Sequence, residues 1–437
     1  MRSKSIQSAE RLMSAFAIRT GLHGPSDPTR RYLWTDAYAL TTLLALHRAT
    51  AVQQYLDDAI KLADLVHEVL GRHRPSDART GWISGLDDAA GALRPTAGGL
   101  RIGKPLRERA LNEPLAKPQD ERLEWDRDGQ YFHYLTRWAH ALSQLALATG
   151  DAAWNAHAIE LAHAAVPAFT YEPRPGGPMR MYWKMSIDLT RPLVASMGQH
   201  DPLDGLVTLA RVRATQHRLS PQPAQLDREI DLMRAMCFAP GTAWATTDAL
   251  GIGSVLEASA ELIDLSAHGD LASEPTLLGF IHALLADAHR SIDAFAASDD
   301  LSRPLEARLP FRELGLAIGL RGIAPMRACV ARHPDHFGSL ASNNALRTRL
   351  EAIARLEPLA EHIEQTWLDP AAQRASTWSD HREINSVMLA ASLCAADGVR
   401  APVHAPVHAP APAPVPAPSS VSLASARASS GAAAASS

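Results

Sequence analysis

A tryptophan set beside polar and acidic residues recurs along this chain at intervals that suit one architecture. The stretches are Leu33-Trp34-Thr35-Asp36, Glu124-Trp125-Asp126-Arg127-Asp128, Tyr182-Trp183-Lys184 with Asp188 following, Ala243-Trp244-Ala245-Thr246-Thr247-Asp248, and Thr377-Trp378-Ser379-Asp380-His381-Arg382-Glu383. A sixth, Pro310-Phe311-Arg312-Glu313, carries phenylalanine in place of tryptophan. From the second member onward the aromatics are spaced by 58, 61, 67 and 67 residues; the first gap is 91, and its surplus falls in a loop insertion at 74–123. Two helices of about 20 residues with their connections fill a period of about 60. Six such hairpins fit between residues 5 and 397, and five of the nine tryptophans stand at their junctions.

Apolar spacing of three and four runs through most of the chain, and alternating β-branched stretches are scarce. Two kinds of helix can be told apart. Residues 53–72 and 345–366 carry one apolar stripe, such as Leu56, Ile60, Ala63, Val66 and Leu70, with charges opposite. Such helices cover an outer surface. Residues 37–46, 249–260, 314–320 and 384–396 are apolar or small on nearly every side, which predicts burial all round. The alternation predicts two concentric helical layers in one all-α domain spanning 1–399.

The hydrophobic fraction of 46% over 437 residues is ample for one large core. A net charge of -4 points away from nucleic-acid and membrane-surface partners. No run approaches 18 apolar residues, so no membrane span is expected. Cys237, Cys329 and Cys394 form no close pair, and the N-terminus has no secretory pattern, which together favour a reducing, cytoplasmic setting. Residues 400–437 hold seven prolines in 402–418 and then a Ser/Ala run, a composition expected to be disordered.

Six helical hairpins with buried inner helices and aromatic–acidic junctions resemble the six-hairpin (α/α)6 toroid superfamily. It includes glucoamylase-like and unsaturated-glucuronyl glycosidases and the N-acylglucosamine 2-epimerase group. The resemblance implies an inner and an outer helix ring, with the loops at one end forming a sugar-binding cup.

Sugars offer C–H faces that aromatic rings stack on and hydroxyl edges that carboxylates and amides bind. On that basis Trp34, Trp82, Trp125, Gln130, Tyr131, Trp183, Lys184, Asp188, Trp244, Arg312, Glu313, Trp378, His381 and Asn385 are candidate substrate-binding residues. Glycoside hydrolysis needs two carboxyl groups across the scissile bond. Asp36, Asp248 and Asp380 stand where helix N-caps belong; capping N–H groups favour the charged form, so these suit bases or hydroxyl anchors. Asp126 and Asp128, close to Glu124, could hold a proton through mutual repulsion and serve as the acid, with Glu383 as the other choice. His133 completes the catalytic candidates.

Any one of these acids is explained equally well by plain capping, and any one tryptophan by packing; the recurrence raises the functional reading. Gly98, Gly103 and Lys104 imitate a phosphate-loop spacing, but Pro105 stands where Ser or Thr should be and removes an N–H, so no nucleotide is expected. Trp82, Arg101 and Lys104 of the insertion could instead reach substrate from a lid. No metal-ligand spacing occurs, and neither a metal nor a cofactor is expected. The leading expectation is a glycoside hydrolase acting on a small-molecule carbohydrate. The alternatives are a sugar epimerase or isomerase using His133 or His381 as base, and a helical-repeat scaffold without chemistry.

Overall fold

The computed structural model describes residues 3–110, 113, 123–239, 241–271 and 275–398. The expected tail at 400–437 lies outside them, as do residues 111–112 and 114–122 of the insertion. The chain opens with α1 (Lys4–Arg19), followed by the hairpins α2 (Leu33–Thr50) with α3 (Gln53–Leu70) and α4 (Phe132–Thr149) with α5 (Ala152–Phe169). Next come α6 (Asp201–Leu219) with α7 (Asp227–Cys237) and α8 (Ala249–Ala267) with α9 (Pro275–Ala296). The chain ends in α10 (Pro310–Arg321), α11 (Ile323–Arg332), α12 (Leu340–Ala354), α13 (Pro358–Leu368) and α14 (Arg382–Ala396).

Helices α2, α4, α6, α8, α10 and α14 pack in that order, and α14 returns to α2, so the inner ring is closed. Their partners α3, α5, α7, α9, α13 and α1 lie behind them. The fold is therefore an (α/α)6 toroid. Inner helices meet start to start. The Trp34 and His133 rings lie 5.9 Å apart, Arg312 pairs with Asp248 at 2.6 Å, and the Phe311 and His381 rings are 6.3 Å apart. All six amino ends thus gather at one mouth.

Tight turns set the hairpins. Ala51 (φ 55) ends α2 and Gly150 (φ 74) ends α4, each in the left-handed region that stops a helix. Asp151 then caps α5 by accepting from the Ala153 amide at 2.9 Å. One ring seam is closed by glycines: a Cβ on Gly253 of α8 would lie 2.1 Å from the Gly315 carbonyl oxygen of α10. Only bare backbones fit there.

Two sequence expectations change. Residues 345–366 are two helices, because the chain turns at 355–357 and Pro358 starts α13 where its missing N–H costs nothing. Trp183 does not introduce a helix: it lies in an arm between α5 and α6 that carries β2 (Thr170–Tyr171), β3 (Arg180–Met181), β4 (Lys184–Met185) and β5 (Pro192–Val194). β4 pairs antiparallel with β1 (Gln130–Tyr131), setting Tyr131 opposite Lys184 and laying the arm over the start of α4. Pro310–Arg332 has an 18-residue window of mean hydropathy 1.4, apolar enough for a membrane span, but 67% of that window is buried inside the protein as α10 and α11.

Candidate functional site

A cavity of ≈ 170 Å³ runs down the axis of the inner ring. At about 10–15 Å³ for each water-sized probe, that is room for on the order of ten waters or a small ligand. Three inner helices each turn a hydrophilic stripe into it. On α4 the stripe is His133, Arg137, His140 and Gln144; on α6 it is Asp204, Thr208 and Arg211. On α8 it is Glu257, Glu261 and Asp264. Spacings of three, four and seven keep each stripe on one face.

The stripes form two tiers, about 10 Å apart for seven residues of helix. In the upper tier Arg137 donates to Glu257 at 2.9 Å, and the Tyr38 hydroxyl donates to the same carboxylate oxygen at 3.3 Å. The guanidinium lies 4.7 Å from the Tyr38 ring centre and 5.6 Å from that of Trp34. Burial opposes the charge on Arg137, but Glu257, Tyr38 and Asp204 outweigh it and hold its pKa above the usual arginine value. Asp204 has the opposite fate. Loss of water around its carboxyl is the main cause, and Asp201 and Glu257 add repulsion; Arg137 and His133 offset this only in part, leaving its pKa at about 7.

In the lower tier Arg211 donates to Glu261 at 2.8 Å and to Asp264 at 2.5 Å. Burial, reinforced by Arg137 and Arg211, lowers His140 to about 4 against the pull of Glu261. It faces the cavity as a neutral imidazole. Below, Gly322 and the α11 residues Pro325, Met326 and Cys329 line the cavity beside Arg48, Asp264 and Cys394, which lie late in the inner helices.

The mouth is aromatic. His133 lies nearly parallel to Tyr131, 5.4 Å between centres at 23°, and to Trp183, 6.4 Å at 13°. Trp183 in turn meets Trp125 at 4.2 Å, and Trp125 is 51% exposed. Trp34 packs on Tyr134 at 5.2 Å, and the hydroxyls of Tyr134 and Tyr32 are bonded at 2.7 Å. The structure therefore brings Trp34, Trp125, Tyr131, His133 and Trp183 together at the head of the cavity.

The remaining sequence candidates serve elsewhere. Asp128 is fully buried and accepts from Arg101 at 2.7 Å and from the amides of Gly103 and Gly129 at 3.0 and 3.1 Å; it anchors the insertion, while Asp126 is exposed. Asp36 is a buried first-turn residue of α2, not its N-cap, and accepts from the Tyr32 amide at 3.2 Å. Burial raises it to about 6, although Arg31 and the Tyr32 amide pull the other way. Asp248 does cap α8, accepting from the Gly251 amide at 3.2 Å, and is shared with Arg312. Asp380 and His381 are exposed ahead of α14 and cap nothing by side chain. Glu383 pairs with Arg19 of α1 at 2.8 Å.

Trp244 packs on Phe280 of α9 and Trp378 on Trp367 of α13, so both point toward outer helices. Trp82 is buried beneath Arg72, 4.1 Å from its ring centre. Lys184, fully buried, donates to Glu124 at 3.2 Å and to the Arg127 carbonyl at 2.8 Å. Gln130 bonds Gly98, Ile187 and Leu100; Asn385 bonds the carbonyls of Thr377 and Trp378. Glu313 is held by Arg308 and Trp367, and Asp188 by Ser186, Thr190 and Arg79. Of the insertion's described candidates Arg101 is buried, and Lys104 nears the mouth, 5.8 Å from the Tyr32 ring.

What sequence reasoning missed is the pair of tiers: Tyr38, Arg137, His140, Asp201, Asp204, Arg211, Glu257, Glu261 and Asp264. A polar residue every three or four positions on an otherwise apolar helix was the available signal. No family model matches this sequence, and no curated protein matches it. Among solved structures the chain is similar to cellobiose 2-epimerase from Spirochaeta thermophila, at 12% identity and TM-score 0.41, over 82% of this chain and 98% of that one. It is also similar to the Lin0763 protein from Listeria innocua, at 10% identity and TM-score 0.43, again over 82% and 98%.

Proposed function

We propose that the protein is a carbohydrate-active enzyme that epimerises or isomerises a sugar in the toroid cavity by moving a proton at the carbon beside its carbonyl. The observation that carries this reading is the upper tier: His133, Asp204 and Arg137 open onto one cavity under a rim of aromatic rings. His133 takes the proton from carbon, the electron pair moves onto the carbonyl oxygen, and Arg137 stabilises that negative oxygen. Asp204, with a pKa of about 7, is protonated often enough near neutrality to return a proton. The transition state is anionic, which suits the Arg137 guanidinium on the cavity wall. Hydrolysis through an oxocarbenium-like transition state, which is positive, is less well served beside Arg137.

Hydrolysis keeps one supporting observation. Asp204 and Glu257 both line the cavity, and Glu257 is ion-paired to Arg137 while Asp204 is raised. A carboxyl raised by burial beside one held in an ion pair suits an acid and a base. The closed ring with its pooled carboxylates weighs against the scaffold reading. The three free, buried cysteines accord with a cytoplasmic setting.

A panel of free aldoses and reducing disaccharides in heavy water separates the readings. Deuterium appearing at the carbon next to the carbonyl, and lost in His133→Ala, supports proton transfer. Release of nitrophenol from aryl glycosides without deuterium uptake, abolished in Asp204→Asn, transfers the assignment to hydrolysis. Silence in both assays across the panel sinks both.

A further inference from the structure

We infer that Asp201 is the positioning residue for His133, holding its imidazole with the proton on Nδ1 and the free lone pair on Nε2, aimed into the cavity. The inference rests on His133 being the base proposed above, and it concerns a residue that reading does not require. Four rings fix the imidazole plane: Tyr131 and Trp183, themselves 5.3 Å apart, lie nearly parallel to it, while Trp34 and Tyr134 meet it edge-on at 5.9 and 4.9 Å. Within that plane the two nitrogens have different surroundings. Nδ1 is buried and has no hydrogen-bond partner. Facing it at 3.4 Å is Oδ1 of Asp201, whose other oxygen is also buried and unpartnered.

An unpaired buried donor or acceptor costs about 1–3 kcal/mol. The 3.4 Å between Nδ1 and Oδ1 is only slightly longer than a hydrogen bond, and the same carboxylate has its unpartnered Oδ2 to offer, so the orphaned nitrogen and this acid are a pair waiting to close. His133 Nε2 makes no hydrogen bond to any described residue and is not among the buried unpartnered atoms, so it is the nitrogen left for the cavity that His133 lines.

The chain holds the carboxylate in place. Asp201 is the first residue of α6 and is 3% exposed, and a Cβ on Gly198 would lie 2.5 Å from its Oδ2. A bare glycine backbone therefore walls the carboxylate on one side. Asp204, one turn further along α6, is the other acid near His133 and faces the cavity. On its own, Asp201 at a helix start would be only a favourable end charge. Its alignment with an orphaned imidazole nitrogen points further.

The tautomer can be read directly, without knowing the substrate. In protein labelled with ¹⁵N-histidine, long-range proton–nitrogen correlation at alkaline pH should show His133 as the Nδ1–H form. Asp201→Asn, whose amide can donate to Nδ1, should reverse it. The same change should lower kcat on a sugar substrate by about 10–100-fold while leaving KM within about threefold, as losses at orienting residues do. Gly198→Ala keeps the charge but displaces the carboxylate, and should shift the tautomer in the same direction if Asp201→Asn fails to fold. An Nε2–H form in the unaltered protein, or a tautomer indifferent to both substitutions, overturns the inference. The Nδ1–H form together with its reversal, but without any sugar turnover, would uphold the positioning role and reject the proposed reaction.

Discussion

Asp204 and Asp36 are both carboxyl groups raised by burial, and the sign of their effect on stability is the same. Each binds its proton more tightly folded than unfolded, so its favourable contribution is complete below the ordinary value of 3.8 and is lost as pH rises through the folded value, about 7 for Asp204 and about 6 for Asp36. Removing the charge at Asp204 should therefore help the fold at alkaline pH. Asp204→Asn should match the unaltered protein in melting temperature near pH 4. It should then gain on it up to pH 8, by at most roughly 4 kcal/mol at about 1.4 kcal/mol per unit. Under the proposed reaction the same variant loses about 10²–10⁴-fold in kcat, and the native rate falls above pH 7 as the acid ionises. Stability rising while turnover collapses is the mark of a functional residue. At this scale the sequence was least legible. Acids beside the junction tryptophans were conspicuous, yet Asp128, Glu383 and Glu313 are consumed by Arg101, Arg19 and Arg308. Those arginines are distant in sequence or belong to no motif, and only folding brings each to its partner. His133, Tyr131 and Trp34 were found because they stand at a helix start itself, and Trp125 and Trp183 because they recur with it in the same spacing.

Elements divide between those that bear the ring and those that dress its mouth. Asp128→Ala would leave the Arg101 guanidinium buried without its partner, and breaking such a pair typically costs 3–5 kcal/mol. The expected outcome is a large fall in melting temperature, with kcat of the surviving folded fraction nearly unchanged. Two glycine substitutions should move in opposite directions. Gly253→Ala forces a methyl into the Gly315 backbone and should destabilise by about 1–3 kcal/mol or more. Gly279→Ala, inside α9 with nothing within 4 Å of the new carbon, should stabilise by about 0.5–1 kcal/mol. Paired urea denaturation curves settle both. Helix identity was readable from apolar spacing, because inner and outer helices differ in how many faces they bury. The arm holding Trp183 was not readable: its strands are two or three residues long, too short for alternation to show.

For the whole molecule, the ring exists only if its first and last elements meet. α1 packs on α14 and α2, burying Ile6, Ala9, Met13, Phe16 and Ala17 and pairing Arg19 with Glu383. At about 1.5–3 kcal/mol for each large side chain, that contact rivals the 5–15 kcal/mol by which a domain is usually stable. Deleting α1 should abolish a single cooperative urea transition, where a solenoid of independent repeats would lose only one unit. The six-fold period made this closure legible from sequence, although the counting markers proved unequal: Trp34 and Trp125 face the mouth, while Trp244 and Trp378 wedge the outer layer. Met326 and Cys329 line the cavity at the end away from His133. With α11 tucked beneath it, the axis is a blind well rather than a through-passage. On the proposed reaction a long polymer cannot thread it, so chain termini or small molecules would reach the upper tier, and each product would back out through the doorway its precursor used.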